Sequence, residues 1–395
     1  MVVKSTEILE KYPASSETQV ETPLEENRAP QLPIIVDFDP GDKENPHNWS
    51  MMRKLVVANI CVLLTLNSTL GSSMPAGSIK FIAEDFNVTN EYQLVLPISV
   101  FLIGYIVGPL FLAPLSEVYG RKPLLFWTFV LYLCFTLGTA LAPNFPALLV
   151  LRFLAGTAAA APLGIVGGLF ADCFPDPVHR GRVMALWAAG TTFGPTLSPV
   201  ISGFLGQVSW RWPFWFELIF GGVSLIAMLF LPETFRPVIL AKRAARMKKE
   251  LNRDDIVVPD SVETRNLKDL FAVTLTRPVT MLFTEPIVPA VCLYMAFLYA
   301  ILYLFFQAYP IIFQGEYAMA PGIDGLAYMP VGIGSVISAI MVVLWDEHMR
   351  RQGEKKPTME YHRLTLAIIG GPLTMISFFW LVGTPGWEMS HLLSD

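Results

Sequence analysis

Charge is scarce in this chain. Only 15% of its 395 residues are Asp, Glu, Lys or Arg while 53% are hydrophobic, against about 25% charged in soluble domains. An ordinary cytosolic enzyme and a disordered chain are both excluded by that balance. Basic residues are outnumbered, 28 against 33 acidic, so no overall cationic field awaits nucleic acid. Cysteine is rarer still. Cys61, Cys134, Cys173 and Cys292 lie far apart with no CxxC pair, which removes a disulfide scaffold, a zinc ribbon and a thioredoxin-type centre. The five histidines (His47, His179, His348, His362 and His391) sit outside the apolar runs, without the HxxxH or HxxHH spacing of a membrane di-iron centre. There is no GxxxxGK[ST] sequence, so ATP-driven work is not expected. No catalytic residue, metal or cofactor is assigned.

What the chain has instead is a series of long apolar runs. A helix needs about 20 apolar residues to cross a bilayer. Nine runs of that kind occur, at 55–74, 94–112, 123–142, 148–171, 183–206, 213–231, 286–308, 323–344 and 364–383. One such run could be a buried core helix, but nine in series point to an all-α, polytopic membrane protein. Residues 1–50 differ from the rest. They are rich in Pro, Glu, Ser, Thr and Asn and are expected to be a disordered tail. They lack the basic stretch followed by an apolar one that marks a signal peptide.

Basic residues set the orientation. Taking the segments between runs alternately, all of them except Lys80, Arg211 and the embedded Arg152 fall in one set. Positive charge stays inside, so the N-terminus is expected in the cytoplasm. The longest connector, 236–285, contains RAARMKKELNRDD. It reads as a solvated linker, helical in part, with an interfacial amphipathic helix as the alternative. It divides six spans (51–235) from three (286–383), with a short tail at 384–395. An echo supports the division: Glu117-Val-Tyr-Gly-Arg121-Lys122 follows span 2, and Asp346-Glu-His-Met-Arg350-Arg351 follows span 8. Two related halves are common in secondary transporters.

Charges inside the spans are few: Arg152, Glu217 and, at an edge, Asp324. Intramembrane charges are costly and are functional or paired. Arg152 and Glu217 each lie about four residues, or roughly 6 Å, into their spans. From there Arg can snorkel to the interface and Glu can stay near water, so a transport role is weighed against a bland one. Small residues mark close helix contacts: Gly104 and Gly108, Gly164 and Gly168, and in span 5 Gly190, Gly194, Pro195, Pro199, Gly203 and Gly206. Such a bent, flat-faced helix suits a rocking surface or a static tight contact.

The 113–122 loop carries APLSEVYGRK, with Gly120 permitting a tight turn. Asp172 ends span 4, and Arg180 and Arg182 begin span 5, each of the wrong sign for its helix dipole. Pairing Asp172 with Arg121, and Glu117 with Arg180 or Arg182, relieves both mismatches. The expectation is therefore a charge cluster, with Lys122 beside it, that holds helix ends together; the alternative is that these bases only satisfy the inside-positive rule. In span 7, Tyr299, Tyr303 and Gln307 share one helix face, which suits bulky amphipathic or cationic ligands and makes them candidates to line the substrate cavity, with core packing or lipid contact as the alternative. In span 1, Asn59, Thr65, Asn67, Ser68 and Thr69 form an uncharged polar stripe expected to line a cavity. Asn87-Val-Thr89 is a glycosylation acceptor sequence in the first outer loop.

These features together resemble the major facilitator superfamily, and within it the twelve-helix drug:proton antiporters of fungi. DFDPGDKENPHNWS is similar to that group's lead into helix 1. APLSEVYGRKP is similar to its loop 2–3 signature, with Ser116-Glu117 where Asp-Arg is commoner. LVLRFLAGT matches its arginine motif through Arg152 and Gly156, and Gly190 to Gly203 matches its helix 5 antiporter motif through Gly194-Pro195. WRWPFWF, PETF, EPIV and LYLFF add to the likeness. The resemblance implies a two-bundle fold working as a monomer, proton coupling through Arg152, a gate latched by the loop 2–3 cluster, and only a supporting place for the helix that carries Glu217. It implies proton-coupled efflux of toxic small organic molecules or secondary metabolites across the plasma membrane. Polyamine or other cation transport is the alternative within that class. Nine spans where the group has twelve imply an incomplete C-terminal bundle with the C-terminus outside, and a truncated, non-transporting membrane protein is the alternative from another class.

Overall fold

The computed structural model describes residues 34–253, 255–258, 267–351, 366, 368–373, 376 and 377. In chain order these form β1 (Ile34–Ile35), α1 (Met51–Ser73), α2 (Ile79–Phe86), α3 (Glu91–Leu94), α4 (Leu96–Tyr119), α5 (Arg121–Ala140), α6 (Phe145–Ala159), α7 (Ala161–Cys173), α8 (Pro177–Gly206), α9 (Trp212–Leu229), α10 (Arg236–Leu251), β2 (Ile256–Val257), α11 (Leu267–Thr284), α12 (Ile287–Tyr309), α13 (Pro321–Leu326) and α14 (Met329–Arg351). Several helices start where the sequence supplies a cap. Asn144 accepts the Ala147 amide at 2.9 Å and Asp176 accepts the His179 amide at 3.1 Å. Proline follows in the first turn of both helices, where its missing N–H costs nothing.

Seven segments among the described residues are long and apolar enough to cross a membrane: Met51–Phe86, Leu96–Tyr119, Arg121–Ala140, Phe145–Cys173, Trp212–Leu229, Ile287–Gly315 and Pro321–Met349. The 30-residue α8 is long enough but more polar, because Gly, Pro, Thr and Ser dilute its apolar residues. These eight cover the first eight expected spans. The ninth, 364–383, lies mostly outside the described residues. Two expected spans are interrupted. The fourth breaks at Ala160 between α6 and α7, where Pro162 has no N–H for the Ala158 carbonyl. The eighth divides into α13 and α14.

The bundle presents apolar side chains outward and buries, within a largely apolar interior, a stripe of polar ones. Ile106, Trp127 and Ile219 are exposed, whereas Thr65, Asn67, Ser68, Thr69, Ser72 and Ser73 of α1 are buried. Close approach of α4 to α6 depends on glycine: a Cβ on Gly104 or Gly156 would stand 2.5 or 2.2 Å from a carbonyl oxygen of the other helix. The first six spans pack around α1, and α8 also carries the contact with α13 and α14.

One part of the expected domain layout differs. The tail was expected to be disordered through residue 50, yet residues 34–50 are folded. β1 pairs in parallel with β2, and Val36 is buried with Leu240, Ala244 and Ile256. Asp37 and Glu44 meet Arg236 and Arg246 at 2.6 and 3.4 Å, and Asp42 meets Arg243. Opposite charge on α10 holds a segment too polar to fold alone. Correspondingly, the 236–285 connector is mostly helix, as α10 and α11, and α11 packs against α4.

Candidate functional site

Two clusters gather the charged residues of the bundle. One lies at the end where the N-terminal segment docks. α5 begins at Arg121, immediately after Gly120, whose φ of +98° is the left-handed geometry that glycine adopts freely. The first two amides of α5, on Arg121 and Lys122, donate to the two carboxylate oxygens of Glu233 at 3.1 and 3.2 Å. A carboxylate at a helix N-terminus satisfies orphan donors and complements the dipole. The Arg121 side chain turns the other way and donates to Asp172 at the end of α7, Nε to Oδ2 at 2.5 Å. Its guanidinium occupies the space left by Gly168, where a Cβ would come within 2.7 Å of it, and lies 5.0 Å from the Phe235 ring.

The expected pair of Arg121 with Asp172 is thus brought together, but the second expected pairing is not. Glu117 is exposed and makes no ion pair among the described residues. Arg182 instead meets Glu347 at 3.3 Å and Asp346 at 4.0 Å on α14. The reason is reach: α8 turns its first turn toward α14, and α14 presents two acids there. Arg180 joins neither pair. Glu233 of the PETF stretch caps α5 from 112 residues away, and no local signal in the sequence connects the carboxylate to the amide.

The other cluster is deeper. Arg152, on α6, is 1% exposed. Its guanidinium does not snorkel. Nε donates to the Pro97 carbonyl at 3.0 Å, Nη1 to the Gly71 carbonyl at 2.8 Å and Nη2 to the Ser72 carbonyl at 3.0 Å. The last two belong to the final turn of α1, whose carbonyls lack helical partners. Gly71 in particular would pair with residue 75, which is a proline and has no N–H. A cation at a helix C-terminus also complements the dipole. The Phe101 ring lies 4.2 Å from the guanidinium.

Glu217, on α9, is fully buried and also approaches Gly71. The Tyr132 hydroxyl donates to its Oε1, and Thr136 lies at 3.5 Å. A Cβ on Gly71 would stand 2.5 Å from that carboxylate oxygen and from the Tyr132 hydroxyl. Gly71 therefore leaves no room for a side chain beside this carboxylate.

The polar stripe of α1 joins helices to one another. Trp187 of α8 donates to Thr65 at 2.9 Å, Ser68 to the Ala159 carbonyl at 2.5 Å and Ser73 to the Pro195 carbonyl at 3.0 Å. Ser72 and Tyr303 of α12 share a hydrogen bond of 2.9 Å between the two halves of the chain. Of the expected cavity residues, Asn67 is buried, Tyr303 and Gln307 are half-buried, and Tyr299 and Asn59 are exposed. Asn59 turns its amide onto the Leu55 carbonyl at 2.8 Å. On α8, Gly190 faces Val62 and Gly194 faces Thr69 of α1, while Gly203 meets the Pro321 carbonyl of α13. Pro195 stands between these faces and leaves its carbonyl to Ser73. Asn87 is exposed and closes α2 with a φ of +53°.

Residues 61–393 match the Major Facilitator Superfamily. The chain is 38% identical over 370 residues to the MFS-type efflux pump MFS2 of Trichophyton rubrum, covering 92% of this chain and 61% of that one. It is 35% identical over 376 residues to the MFS transporter fsa7 of a Fusarium species, covering 94% of this chain and 72% of that one. Among solved structures, a D-xylose-proton symporter is similar at a TM-score of 0.47 and 15% identity, over 75% of this chain and 69% of that one.

Proposed function

Because the chain belongs to the Major Facilitator Superfamily, we propose that it is a secondary transporter exporting small organic molecules from the cell in exchange for protons. The observation that carries this reading is the Arg152 guanidinium, buried and held by three main-chain carbonyls at the junction of α1 and α4. A charge at that depth is costly unless it has work to do. The relatives named as efflux pumps support the direction of transport. The chain's chemistry in this reading is movement of a solute, with no bond made or broken, and it acts as a monomer.

The parts then take roles. α8 is the surface on which the two halves rock, since its glycines face α1 on one side and α13 on the other. The group around Gly120, Arg121, Lys122, Asp172 and Glu233 is a latch that keeps α5, α7 and the end of α9 together, and Arg182 extends it to α14. Asn67, Tyr303, Tyr299 and Gln307 line the substrate path. The basic end faces the cytosol of a plasma-membrane protein, which places Asn87 outside as a glycan acceptor.

Purified full-length chain in liposomes tests the reading. Imposed pH gradients should drive accumulation of amphipathic organic dyes, ATP should make no difference, and Arg152→Ala should reduce the flux at least tenfold. Flux that survives Arg152→Ala, or that requires ATP, refutes it.

A further inference from the structure

The chain carries a net charge of −5, yet bases gather where the N-terminal segment docks. A cavity of about 360 Å³ opens there between that segment, the start of α1, the stretch that follows α9, and α10. Small-molecule sites run from about 300 to 1,000 Å³. Four bases line this one: Lys43 from the docked segment, Arg53 from α1, and Lys242 and Arg246, one turn apart, from α10. Two carboxylates line it as well, but both are spent. Glu233 gives its two oxygens to the amides of Arg121 and Lys122, and Glu44 lies 3.4 Å from Arg246 and 4.0 Å from Arg243. The ion pairs of this unit run through Arg236, Arg243 and Arg246. Lys43, Arg53 and Lys242 are left without one among the described residues.

The start of α1 asks for an anion too. Its first turn holds Arg53 and Lys54 and no acid, where the helix dipole calls for negative charge. Lys54 is buried and donates to the His47 carbonyl at 2.8 Å. Arg53 instead lies over the Trp49 ring, 4.0 Å from its centre, and Trp49 is fixed by donating to the Lys43 carbonyl at 3.1 Å. The depth is that of a headgroup. Met51–Phe86 is long and apolar enough to cross a membrane, and Met51, Met52, Leu55 and Val56 are exposed at its beginning. From Leu55 onward the helix faces lipid tails, so Arg53 stands at the polar boundary, the level that tryptophan also favours.

We propose that this cavity binds the phosphate of an anionic phospholipid headgroup. Arg53 offers its planar fork to the phosphate oxygens, and Lys43 and Lys242 add point charges, while Arg246 stays with Glu44. A headgroup held this way ties the 34–50 segment, α1 and α10 together and lies against Glu233, the carboxylate that caps α5. Occupancy therefore stiffens the base of the latch. A free phosphate ester carries the same group, and competition tells the two sources apart.

Native mass spectrometry of the full chain in detergent, titrated with phosphatidylglycerol and with phosphatidylcholine, tests the site. Phosphatidylglycerol should bind roughly tenfold more tightly, and Lys242→Glu should cut that preference about fivefold. Arg53→Gln should also cut it. That variant alters neither α10 nor the docked segment, so it covers the case in which Lys242→Glu releases the segment. Lys248→Glu makes the same charge change at an exposed α10 residue outside the cavity and should leave the preference as it is. Equal affinity for the two lipids in the wild type overturns the proposal. So does a preference that Lys242→Glu or Arg53→Gln leaves intact, or one that Lys248→Glu reduces as much as Lys242→Glu, since a diffuse field then does the binding. Displacement of the lipid by millimolar inorganic phosphate keeps the phosphate site and assigns it to soluble esters; lipid that stays bound assigns it to the headgroup. No flux is measured, so the result stands apart from the transport reading.

Discussion

Gly120 and Glu233 show how one turn governs a helix start. Gly120 adopts a φ of +98°, and a Cβ there would stand 2.5 Å from a Glu233 oxygen that is engaged by backbone amides. Gly120→Ala therefore meets strain of about 1–2 kcal/mol, before counting the displaced carboxylate. Glu233→Gln removes the charge from hydrogen bonds worth about 1.5–3 kcal/mol each way. Both variants should lower the thermal midpoint in detergent, and the double variant should lose less than the two singles added, because both act on the same contact. Additive losses refute the shared turn. Gly120 could be recognised from the motif, while Glu233 could not, since its partner amides lie in another helix.

At the scale of elements, the segment 34–50 and α10 form a unit that the sequence pattern underplayed. Composition marks these residues as polar and proline-dotted, which is true, but the complementary charges stand some 200 positions away on α10. The Glu44 amide and then Arg243 hold the Asp42 carboxyl below its ordinary range, and the Phe38 amide and then Arg236 do so for Asp37. Carboxylates depressed in the docked state contribute fully above the free value of about 3.9, and that contribution fades as pH falls through the docked values. Docking should therefore be constant from about pH 8 to pH 5 and fail below about pH 4. Arg243→Ala should loosen it at neutral pH, read as severalfold faster tryptic cleavage at Lys43. Equal cleavage in the variant and the wild type contradicts the docked arrangement.

For the whole molecule, the informative tie is Arg182 to Glu347, because it joins α8 to α14 across the two halves. A half-buried ion pair contributes up to about 1 kcal/mol, enough for roughly a fivefold shift between open and closed forms. Arg182→Glu should open that end, raising the labelling rate of a cysteine introduced at Ala339, and adding Glu347→Arg should restore the wild-type rate. A double variant no slower to label than the single refutes the tie. The membrane-spanning helices among the described residues, their order and the asymmetry of basic charge were legible in the sequence, because a bilayer demands long apolar runs and the inside-positive bias is written in loop composition. Arg152 was legible as well, as a cation where few are tolerated. What only the tertiary structure decided is who stands beside whom. Glu217 met Gly71 and Tyr132, Arg182 found α14 instead of Glu117, and Glu233 reached α5, because partners in a helical bundle are set by which faces meet, and facing residues lie on helices far apart in sequence.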